Sequence, residues 1–596
     1  MGSLVKELKT TPATIRELGV RGLVKVDVRA RRRDPLAGRH VLPTKPLPLN
    51  AEQQTALATI LAPFEPSGVA RPVVLFGVTG SGKTEVYLQA IAHELSEGRG
   101  AIVMVPEISL TPQTVRRFAG RFGSRVAVLH SALSDGERYD EWHRIRKGEA
   151  RVVVGPRSAV WAPVANLGLI VVDEEHDTSY KQDETPRYQA RDVAVLRGRL
   201  EGVRVVLGSA TPSLESWRNV AVGKYVCATM RERAGAGKLP DVHLVDMGEN
   251  AERRSVAGAA RSGGIFSTDL LDAIRLRLER GEQTILFLNR RGYSRSVSCA
   301  ACGFVMECPG CAIPYTYHQA DNCLRCHVCG GWTATPGACP QCQSPAFSYQ
   351  GIGTQRAEAA LRKCFPSARV LRMDADSTSR KFSHDDLLGA FGRREADILI
   401  GTQMIAKGLD FPGVTLVGVL NADSSLNMPD FRAGERTYQL LSQVAGRAGR
   451  AELPGEVFVQ SYDPGAEAIK AAAHGDFSAF AEGELAARRE GFFPPFCHLA
   501  MVNLRSQSET LAANWADMYS KSLMAFARKG AGGERLEVAE AVPSALAKAD
   551  GWYRWQVMVR AVKTRTIVRA WRWLVGVRPP PKELRLAIDI DAIDLV

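Results

Sequence analysis

Short apolar runs alternate along the chain with longer segments whose apolar residues recur at helical spacing. In the first half these runs occupy residues 101–105, 125–130, 151–154, 169–172 and 203–207. Strands that alternate with helices in this way form parallel sheets with helices on both faces. The same rhythm returns in the second half at residues 284–288, 369–373 and 397–400. The pattern therefore predicts an α/β protein built from parallel sheets.

One apolar run, residues 72–76, leads into the sequence GVTGSGKT at residues 77–84 and then into a helical pattern at residues 85–95. A strand, a GxxxxGKT loop and a helix in this order form a phosphate cradle, because the glycines let backbone N–H groups point at the phosphates. We expect Lys83 and Thr84 to reach the outer phosphates and a magnesium ion. A Gly/Ser turn before a helix is the alternative, but the ordered signature favours ATP binding. The cradle glycines are Gly77, Gly80 and Gly82.

The apolar run at residues 169–172 ends in the sequence DEEH at residues 173–176. In a nucleotide hydrolase we expect Asp173 to hold the magnesium ion and Glu174 to orient or deprotonate the attacking water. An acidic turn at a strand end is common by itself, but downstream of a phosphate loop it favours catalysis. Gln53, which precedes the loop, is a weaker candidate for gripping an adenine edge.

A glutamine and two arginines lie on a glycine-spaced segment, QVAGRAGR, at residues 443–450. Arginines so placed can neutralise the charge on a transferring γ-phosphoryl group from across a cleft. A basic helix face is the alternative, although the glycines weaken it because they destabilise a helix. We therefore predict that Gln443, Arg447 and Arg450 complete the ATP site.

Several loops that follow apolar runs carry short hydroxyls and single basic residues. Such groups suit phosphate oxygens, which position a nucleic-acid strand without reading its sequence. Residues 177–191 also interleave aromatic and basic side chains, which can stack bases and relay DNA binding to the ATP site. Ordinary strand-to-helix turns and a solvated charged loop are the alternatives. The candidate DNA-binding residues are Thr111, Arg157, Ser158, Tyr180, Lys181, Arg187, Thr402 and Lys407.

Of the twelve cysteines, nine lie between Cys299 and Cys342. A local cluster suits metal binding in a reducing compartment better than a disulfide framework. Four Cys-x2-Cys pairs predict two structural zinc ions without chemistry of their own, because tetrahedral zinc takes two such pairs. Spacing alone permits nested or sequential pairing, and Cys323 is an extra thiol that either replaces a ligand or is a bystander. The predicted ligands are Cys299, Cys302, Cys308, Cys311, Cys326, Cys329, Cys339 and Cys342.

Length and charge limit the possible classes of protein. A chain of 596 residues should hold several domains, since single cores stop growing at roughly 250–300 residues. The formal net charge of +13 indicates a polyanionic partner, which charge alone does not identify as nucleic acid or a membrane surface. No apolar stretch approaches the roughly 20 residues that span a bilayer, and the first residues lack the apolar core of a signal peptide. A cytoplasmic protein is therefore predicted.

In chain order the sequence contains GVTGSGKT, DEEH, GSATPS, GTQMIAKGLDF and QVAGRAGR. This set resembles the motor of superfamily 2 helicases, in which ATP lies between two RecA-like lobes. Longer segments resemble the PriA family of bacterial primosomal replication-restart helicases, from about residue 49 to residue 596. These segments are DEEHDTSYKQDETPRYQARD, NRRGYS before the cysteines, MPDFRAGERTYQLLSQVAGRAGR and RREGFFPPF.

The resemblance implies an ATP-dependent DNA helicase that moves 3′ to 5′, binds forked or D-loop DNA, and restarts stalled replication by primosome assembly. It implies ATP, Mg²⁺ and two structural Zn²⁺, with the outer cysteine pairs sharing one ion and the inner pairs the other. The implied partners are DNA, the replicative helicase and its loader, other primosome proteins and single-stranded DNA-binding protein, for a bacterial cytoplasmic monomer without membrane association. By matching motif, the nucleotide residues would be Gln53, Gly82, Lys83, Thr84, Asp173, Glu174, Gln443, Arg447 and Arg450.

Two other functions stay open at the level of sequence. A fork-binding scaffold that helps to load the replicative helicase would not need an active ATPase, and the presence of Lys83, Asp173, Glu174 and Arg450 favours the helicase instead. An RNA helicase would be stimulated as strongly by RNA as by DNA.

The motifs also predict an order of domains. PriA-like proteins normally begin with a domain that captures a nascent 3′ end, followed by a complete winged helix. We expect this chain to lack the first and most of the second, through truncation or loss. The expected segments are a partial winged-helix remnant and basic linker at 1–48, a RecA-like lobe at 49–225, a linker and the start of a second lobe at 226–296, a two-zinc insertion at 297–345, the second RecA-like lobe at 346–460, and a C-terminal α+β domain at 461–596.

Overall fold

A computed structural model provides the structure of the protein. The residues that it describes are 9–25, 33, 42–64, 71–107, 110–234, 240–248, 264–288, 298–299, 302, 304–310, 313–318, 322–326, 330–345, 347–348, 354–373, 383–402, 405, 411, 413–449, 455–529 and 533–595.

The first lobe is a seven-stranded parallel sheet in the order β3-β4-β2-β5-β8-β1-β9. Its central strands are runs of Val, Ile and Leu buried on both faces, as expected where helices cover a parallel sheet on each side. Its strands are β1 (Val73–Gly77), β2 (Gly100–Met104), β3 (Val126–Val128), β4 (Val152–Gly155), β5 (Leu167–Asp173), β8 (Arg204–Ser209) and β9 (Val226–Met230), and the short pair β6 (Lys181–Gln182) and β7 (Tyr188–Gln189) lies outside the sheet.

Helices of the first lobe connect these strands. They are α2 (Ala51–Leu61), α3 (Lys83–Ser96), α4 (Pro112–Phe122), α5 (Asp135–Arg146), α6 (Ala190–Glu201) and α7 (Leu214–Ala221), and α1 (Pro12–Val20) precedes them. Because β1, β5 and β8 run parallel as neighbours, their carboxyl ends and the loops that follow meet at one edge. Ligands of open α/β sheets bind at this edge.

The second lobe is a six-stranded parallel sheet in the order β10-β20-β19-β11-β18-β17. Its strands are β10 (Asp241–Asp246), β11 (Gln283–Phe287), β17 (Val370–Met373), β18 (Ile398–Gly401), β19 (Val414–Val419) and β20 (Glu456–Ser461). Its helices are α8 (Thr268–Arg280), α9 (Thr354–Cys364), α10 (Ser383–Gly392), α11 (Asp423–Leu426) and α12 (Ala433–Ala445). The predicted pair of parallel-sheet lobes is confirmed.

A cysteine-rich segment interrupts the second lobe, and an α+β domain follows that lobe. The segment holds β12 (Ser298–Cys299), β13 (Thr316–His318), β14 (Cys323–Arg325), β15 (Trp332–Ala334) and β16 (Phe347–Ser348). Two helices, α13 (Glu467–His474) and α14 (Phe477–Glu490), lead to an antiparallel sheet of five strands. The elements of this domain are β21 (His498–Ser506), α15 (Glu509–Arg528), β22 (Leu536–Val538), β23 (Val542–Ala549), β24 (Trp552–Ala561), α16 (Thr564–Val577) and β25 (Arg585–Ile590).

The structure corrects one predicted boundary. Strand β9 pairs in parallel with β1, so the first lobe extends to Met230 and does not end at residue 225. The second lobe begins with β10, which pairs with β20. The predicted boundary was wrong because β9 is short and carries no motif. Only its pairing with β1 shows that it belongs to the first sheet. Much of the predicted winged-helix remnant lies outside the described residues.

The two lobes pack directly against each other. Phe76 of β1 and Trp217 of α7 contact Phe477 of α14, with ring centroids 5.5 and 5.1 Å from it. Leu214 of the first lobe belongs to the apolar cluster that fills the second lobe. The seam between the lobes is therefore part of the core. Among the described helices, none is both long enough and apolar enough to cross a membrane.

Candidate active site between the lobes and zinc centre

The loop after β1 has the backbone form of a phosphate cradle. Gly80 and Gly82 have φ of +85° and +83°, a left-handed conformation that favours glycine. Gly82 then begins α3 without a side-chain cap, which leaves the first N–H groups of the helix for an anion. Lys83 Nζ donates to the carbonyl oxygen of Gly77 at 2.7 Å, so the ammonium group is held over the loop. Thr84 is the next residue of α3 and is half-buried.

Gln53 contacts the phosphate loop directly. Its Nε2 donates to the carbonyl oxygen of Ser81 at 2.9 Å, and its Oε1 accepts from the backbone N–H of Asn50 at 2.9 Å. The side chain is buried, and a Cβ at Gly82 would collide with it. Gln53 therefore caps α2 and braces the phosphate loop, and its contact with an adenine edge stays a prediction.

Asp173 is half-buried at the end of β5. Tyr87 Oη donates to Asp173 Oδ1 at 3.1 Å, and the tyrosine ring fits because Gly208 on the neighbouring strand has no side chain. Burial, followed by the charge of Glu174, raises the pKa of Asp173 to about 6, while Lys83 opposes the shift. A carboxylate whose charged form is disfavoured by burial would be stabilised by a bound cation, so Asp173 can serve as a metal ligand.

Glu174 follows in a left-handed conformation, with φ of +47°. Its Oε2 is buried and has no hydrogen-bond partner among the described residues. The Nδ1 atom of His176 lies 3.7 Å from that oxygen. A buried acceptor of this kind can take the proton of a water molecule bound next to it.

His176 connects the two lobes. Its Nδ1 lies 2.7 Å from Ser209 Oγ in the first lobe, and its Nε2 lies 2.8 Å from Gln443 Nε2 of α12. Because an amide nitrogen can only donate, the imidazole accepts from Gln443 and carries its own proton on Nδ1, which donates to Ser209. The end of β5 is thus hydrogen-bonded to the glutamine that the sequence placed in the site.

The glycine-rich end of α12 lies against the phosphate loop. A Cβ at Gly446 would come within 2.7 Å of Thr79, and Arg233 Nη1 donates to the carbonyl oxygen of Gly449 at 3.0 Å. Arg447 is half-buried one residue beyond this contact. Arg450 lies outside the described residues.

Glu175 is a site residue that sequence reasoning missed. It is fully buried and accepts hydrogen bonds from the backbone N–H of Ser213 at 2.6 Å, from Ser216 Oγ at 3.0 Å and from Arg191 at 3.2 Å. It thereby fixes the start of α7 to the acidic turn. Its place beside Glu174 in DEEH was the only available signal, and that signal does not identify partners so far along the chain.

Some predicted DNA-binding residues lie on exposed or half-buried loops. Ser158 is exposed, while Thr111, Arg187 and Thr402 are half-buried, and Thr111 also caps α4. Arg157 donates to the carbonyl oxygens of Ser179 and Lys181 at 3.3 and 2.5 Å. It therefore also holds in place the segment that contains these two residues. Lys407 lies outside the described residues.

The structure corrects the prediction for Tyr180 and Lys181. The Tyr180 ring is fully buried and its Oη donates to the carbonyl oxygen of Asp173 at 2.6 Å, so the ring is not available for base stacking. Lys181 is buried against the C-terminal domain, where Nζ contacts Asp589 Oδ1 at 2.8 Å and the carbonyl oxygen of Ile590 at 2.9 Å. Polar neighbours in the sequence suggested exposure, but contacts with distant segments bury both side chains.

Four cysteine thiols come together in the cysteine-rich segment. The Sγ atoms of Cys299, Cys302, Cys339 and Cys342 all lie within 4.8 Å of one another. Cys299 and Cys342 are 3.5 Å apart, and Cys302 and Cys339 are 3.7 Å apart. Tetrahedral zinc with sulfur ligands at about 2.3 Å requires separations of about 3.8 Å, so the donor set fits the ion. The outer pairs are the ones that meet, as in the nested arrangement.

The inner pairs are only partly described. Cys308 and Cys326 are buried in one apolar cluster with Leu324. Cys311 and Cys329 lie outside the described residues. Cys323 is buried in β14, opposite His318 and Ala334 on the neighbouring strands.

Family models match four successive parts of the chain. They are described as DEAD/DEAH box helicase over residues 50–220, PriA DNA helicase Cys-rich region domain over 308–331, helicase conserved C-terminal domain over 352–452, and primosomal protein N C-terminal domain over 489–593. Their order follows the lobes, the cysteine-rich segment and the terminal domain of the structure.

Curated proteins called replication restart protein PriA resemble the chain over most of its length. The protein of Bacillus subtilis is 47% identical over 94% of this chain and 68% of its own length. The protein of Treponema pallidum is 40% identical over 92% of this chain and 80% of its own length, and that of Chlamydia pneumoniae is 46% identical over 77% and 60%. Among solved structures, RecG bound to a three-way DNA junction is 20% identical with a TM-score of 0.44, covering 74% of this chain and 47% of its own, a likeness that informs neither fold nor function.

Two parallel-sheet lobes, a phosphate loop at the edge of one and matching helicase models on both define an ATP-dependent DNA helicase with RecA-like lobes. Within that class, the cysteine-rich and C-terminal domains match PriA models, and PriA proteins are 40 to 47% identical to the chain. The chain belongs to the PriA family of replication restart helicases.

Proposed function

We propose that this chain hydrolyses ATP at the seam between its lobes and uses the closure of the seam to move along DNA. In this proposal Lys83 and the backbone of the phosphate loop hold the β- and γ-phosphates. Glu174 accepts the proton of the attacking water, and Arg447 with Arg450 neutralises charge on the transferring phosphoryl group. Gln443 couples closure of the seam to the first lobe through its hydrogen bond with His176.

The observation that carries the proposal is the contact of Gly446 with Thr79. A side chain at position 446 would come within 2.7 Å of the phosphate loop, so the start of the arginine-bearing turn lies against the nucleotide cradle. Arg447, the next residue, belongs to the other lobe, and an arginine there can stabilise the transition state from across the cleft.

The metal assignments in this proposal follow from the donors. Thr84 and Asp173 would hold Mg²⁺, which would neutralise negative charge on the phosphates. The four outer cysteines would hold one structural Zn²⁺, and Cys308 and Cys326 with Cys311 and Cys329 a second.

The DNA substrate and the partners are further parts of the proposal. Single-stranded, forked and D-loop DNA with 3′-to-5′ movement are the substrates and direction that we propose, with Thr111, Arg157, Ser158, Arg187, Thr402 and Lys407 in contact with the strand. We also propose a cytoplasmic monomer that acts with the replicative helicase, its loader and single-stranded DNA-binding protein. The relatives named replication restart protein support this assignment.

ATP hydrolysis should be measured without nucleic acid and with single-stranded DNA, duplex DNA, forked DNA and RNA. We expect forked and single-stranded DNA to stimulate turnover and Lys83→Ala to lower it at least about a hundredfold. Lys147→Ala, which removes an exposed lysine of the same lobe, should behave as the wild type. Equal rates for Lys83→Ala and the wild type would support a fork-binding scaffold instead, and equal stimulation by RNA would contradict a DNA substrate.

A further inference from the structure

Glu435 makes a second connection between the lobes, separate from the one through His176. It lies on α12 of the second lobe and is 4% exposed. Its Oε1 accepts from the backbone N–H of Leu214, the first residue of α7 in the first lobe, at 3.0 Å. Its Oε2 accepts from Arg488 Nη2 of α14 at 2.8 Å. One buried carboxylate thus holds together three helices.

The contacts of α12 with the first lobe lie along one side of the helix. Glu435, Gln439 and Gln443 are spaced four residues apart and therefore share a face. Glu435 reaches the Leu214 amide at one end of this face, and Gln443 reaches His176 near the other. At about 1.5 Å per residue the two contacts are roughly 12 Å apart along the helix axis. Two separated contacts fix the direction of a helix, whereas one would leave it free to pivot.

A nearby ion pair supports the first of these contacts. Arg432, just before α12, lies 3.3 Å from Glu215 of α7. Burial alone would raise the pKa of Glu215, but the charges of Arg432, Arg191 and Arg488 outweigh burial and lower it to about 2. The carboxylate therefore stays charged at neutral pH, and the arginine remains attracted to the first lobe.

A cavity lies on one side of α12 at the seam. A cavity of about 530 Å³ lies between the lobes and the C-terminal domain, and Glu435, Arg432 and His176 line it. The interior of a protein resists displacement where it is close-packed. On the side that lines the cavity, hydrogen bonds to the first lobe hold α12, while Tyr438, Leu441 and Val444 pack its other side into the apolar cluster of the second lobe.

We propose that Glu435 is a positioning residue for ATP hydrolysis: its bond to the Leu214 amide sets the direction of α12, and so the placement of Gln443 and Arg447 against the phosphate loop. The inference rests on the proposed function, because it assumes that ATP is hydrolysed at this seam. The carboxylate of Glu435 bonds to Leu214, Gln439 and Arg488, none of which is assigned to the phosphates or to magnesium. Its removal should therefore slow turnover and leave the affinity for ATP nearly unchanged.

The test compares two double variants, Glu435→Gln/Arg488→Met and Glu435→Ala/Arg488→Met. Arg488 is replaced as well because, without the Glu435 carboxylate, it would be a buried charge that lacks this partner. Such a charge would destabilise the fold and obscure the effect on turnover. The two variants then differ mainly in whether position 435 offers an acceptor to the Leu214 amide. With saturating single-stranded DNA, kcat of the glutamine variant should exceed that of the alanine variant about tenfold or more, with KM for ATP equal within about threefold, since small misplacements of catalytic groups can cost up to about a hundredfold.

Two controls separate this role from a merely structural one. Glu484→Gln removes the other carboxylate bound to Arg488, at 3.0 Å, without touching the first lobe, and should leave kcat near the wild-type value. Melting temperatures of the two double variants should agree within a few degrees. Equal kcat values for the two would overturn the inference, as would a loss in Glu484→Gln as large as in Glu435→Ala/Arg488→Met. Wild-type turnover in Lys83→Ala would overturn the proposed function instead.

Discussion

The two lobes contribute to the seam in opposite ways. On the first lobe the acidic and basic groups, Lys83, Asp173 and Glu175, are held by hydrogen bonds within that lobe. On the second lobe every described contact with the phosphate loop and the acidic turn comes from one helix, α12, and the glycine-rich turn after it. The first lobe is thus a preformed binding site, and the second is a group of donors whose position depends on one helix.

This difference predicts which substitutions change ATP turnover without changing the affinity for nucleotide. Substitutions in the first lobe change the pocket itself and should affect nucleotide affinity and turnover together. Substitutions along α12 change only how its donors meet the pocket. They should act on turnover far more than on affinity, because the groups that they move are needed mainly in the transition state.

Among the hydrogen bonds between the lobes, the one that joins His176 to Gln443 should have the largest effect on turnover. Because the two side chains are hydrogen-bonded at 2.8 Å, either His176→Ala or Gln443→Ala should lower DNA-stimulated kcat about ten- to a hundredfold. The double variant should be little worse than either single one, with a coupling of about 0.5–3 kcal/mol. A kinetic double-mutant cycle measures this. Additive losses would mean that the two residues act independently and that the lobes communicate elsewhere.

A smaller effect is expected from a single added methyl group at the seam. Gly446→Ala places a Cβ within 2.7 Å of Thr79, and overpacking of this kind costs about 1–3 kcal/mol. We expect kcat/KM for ATP to fall about tenfold, since the lobes close less completely. Gly483→Ala on α14 is the matched control, because no atom lies within 4 Å of its added Cβ. Unchanged kinetics in Gly446→Ala would show that catalysis does not need this approach.

The smallest effect concerns the stability of the first lobe without magnesium. Burial raises the pKa of Asp173 to about 6, so between pH 4 and pH 6 the folded protein binds more protons than the unfolded chain. Folding stability from this group is therefore lost as pH rises through that range. At pH 7 and without added magnesium, Asp173→Asn should stabilise the lobe by ~1–3 kcal/mol.

Calorimetry at pH 5 and pH 7.5 checks this expectation. The melting temperature of Asp173→Asn should exceed that of the wild type more at the higher pH. An equal difference at both pH values would show that the carboxylate carries no penalty for burial.

The parts of the site that the sequence predicted are those that depend on neighbours in the chain. The phosphate loop needs a strand, glycines and a helix in succession, and these are consecutive from Val73 to Ser96. The outer cysteine pairs were likewise visible from spacing, because each Cys-x2-Cys turn is a local structure. The two α/β lobes followed from repeated strand and helix patterns.

The parts that were missed depend on partners far along the chain. Glu435 meets Leu214 across 221 positions, and Lys181 meets Ile590 across 409. Nothing local to Glu435 distinguishes it from a solvated helix residue, and nothing local to Tyr180 shows that its ring belongs to the apolar cluster around Val74 and Ile102. The bond of Gln53 to the carbonyl oxygen of Ser81, 28 positions away, was likewise not visible in the local pattern. Tertiary contacts decide each of these cases.

The central claim, that donors of the second lobe complete an ATP site on the first, is tested most directly by Arg447→Ala. Nucleotide affinity and ATP turnover should be measured on the same preparation with saturating single-stranded DNA. We expect the affinity for nucleotide to stay within a few-fold of the wild type and kcat to fall about a thousandfold, the effect of removing an arginine that stabilises phosphoryl transfer. Wild-type turnover in Arg447→Ala would contradict the central claim.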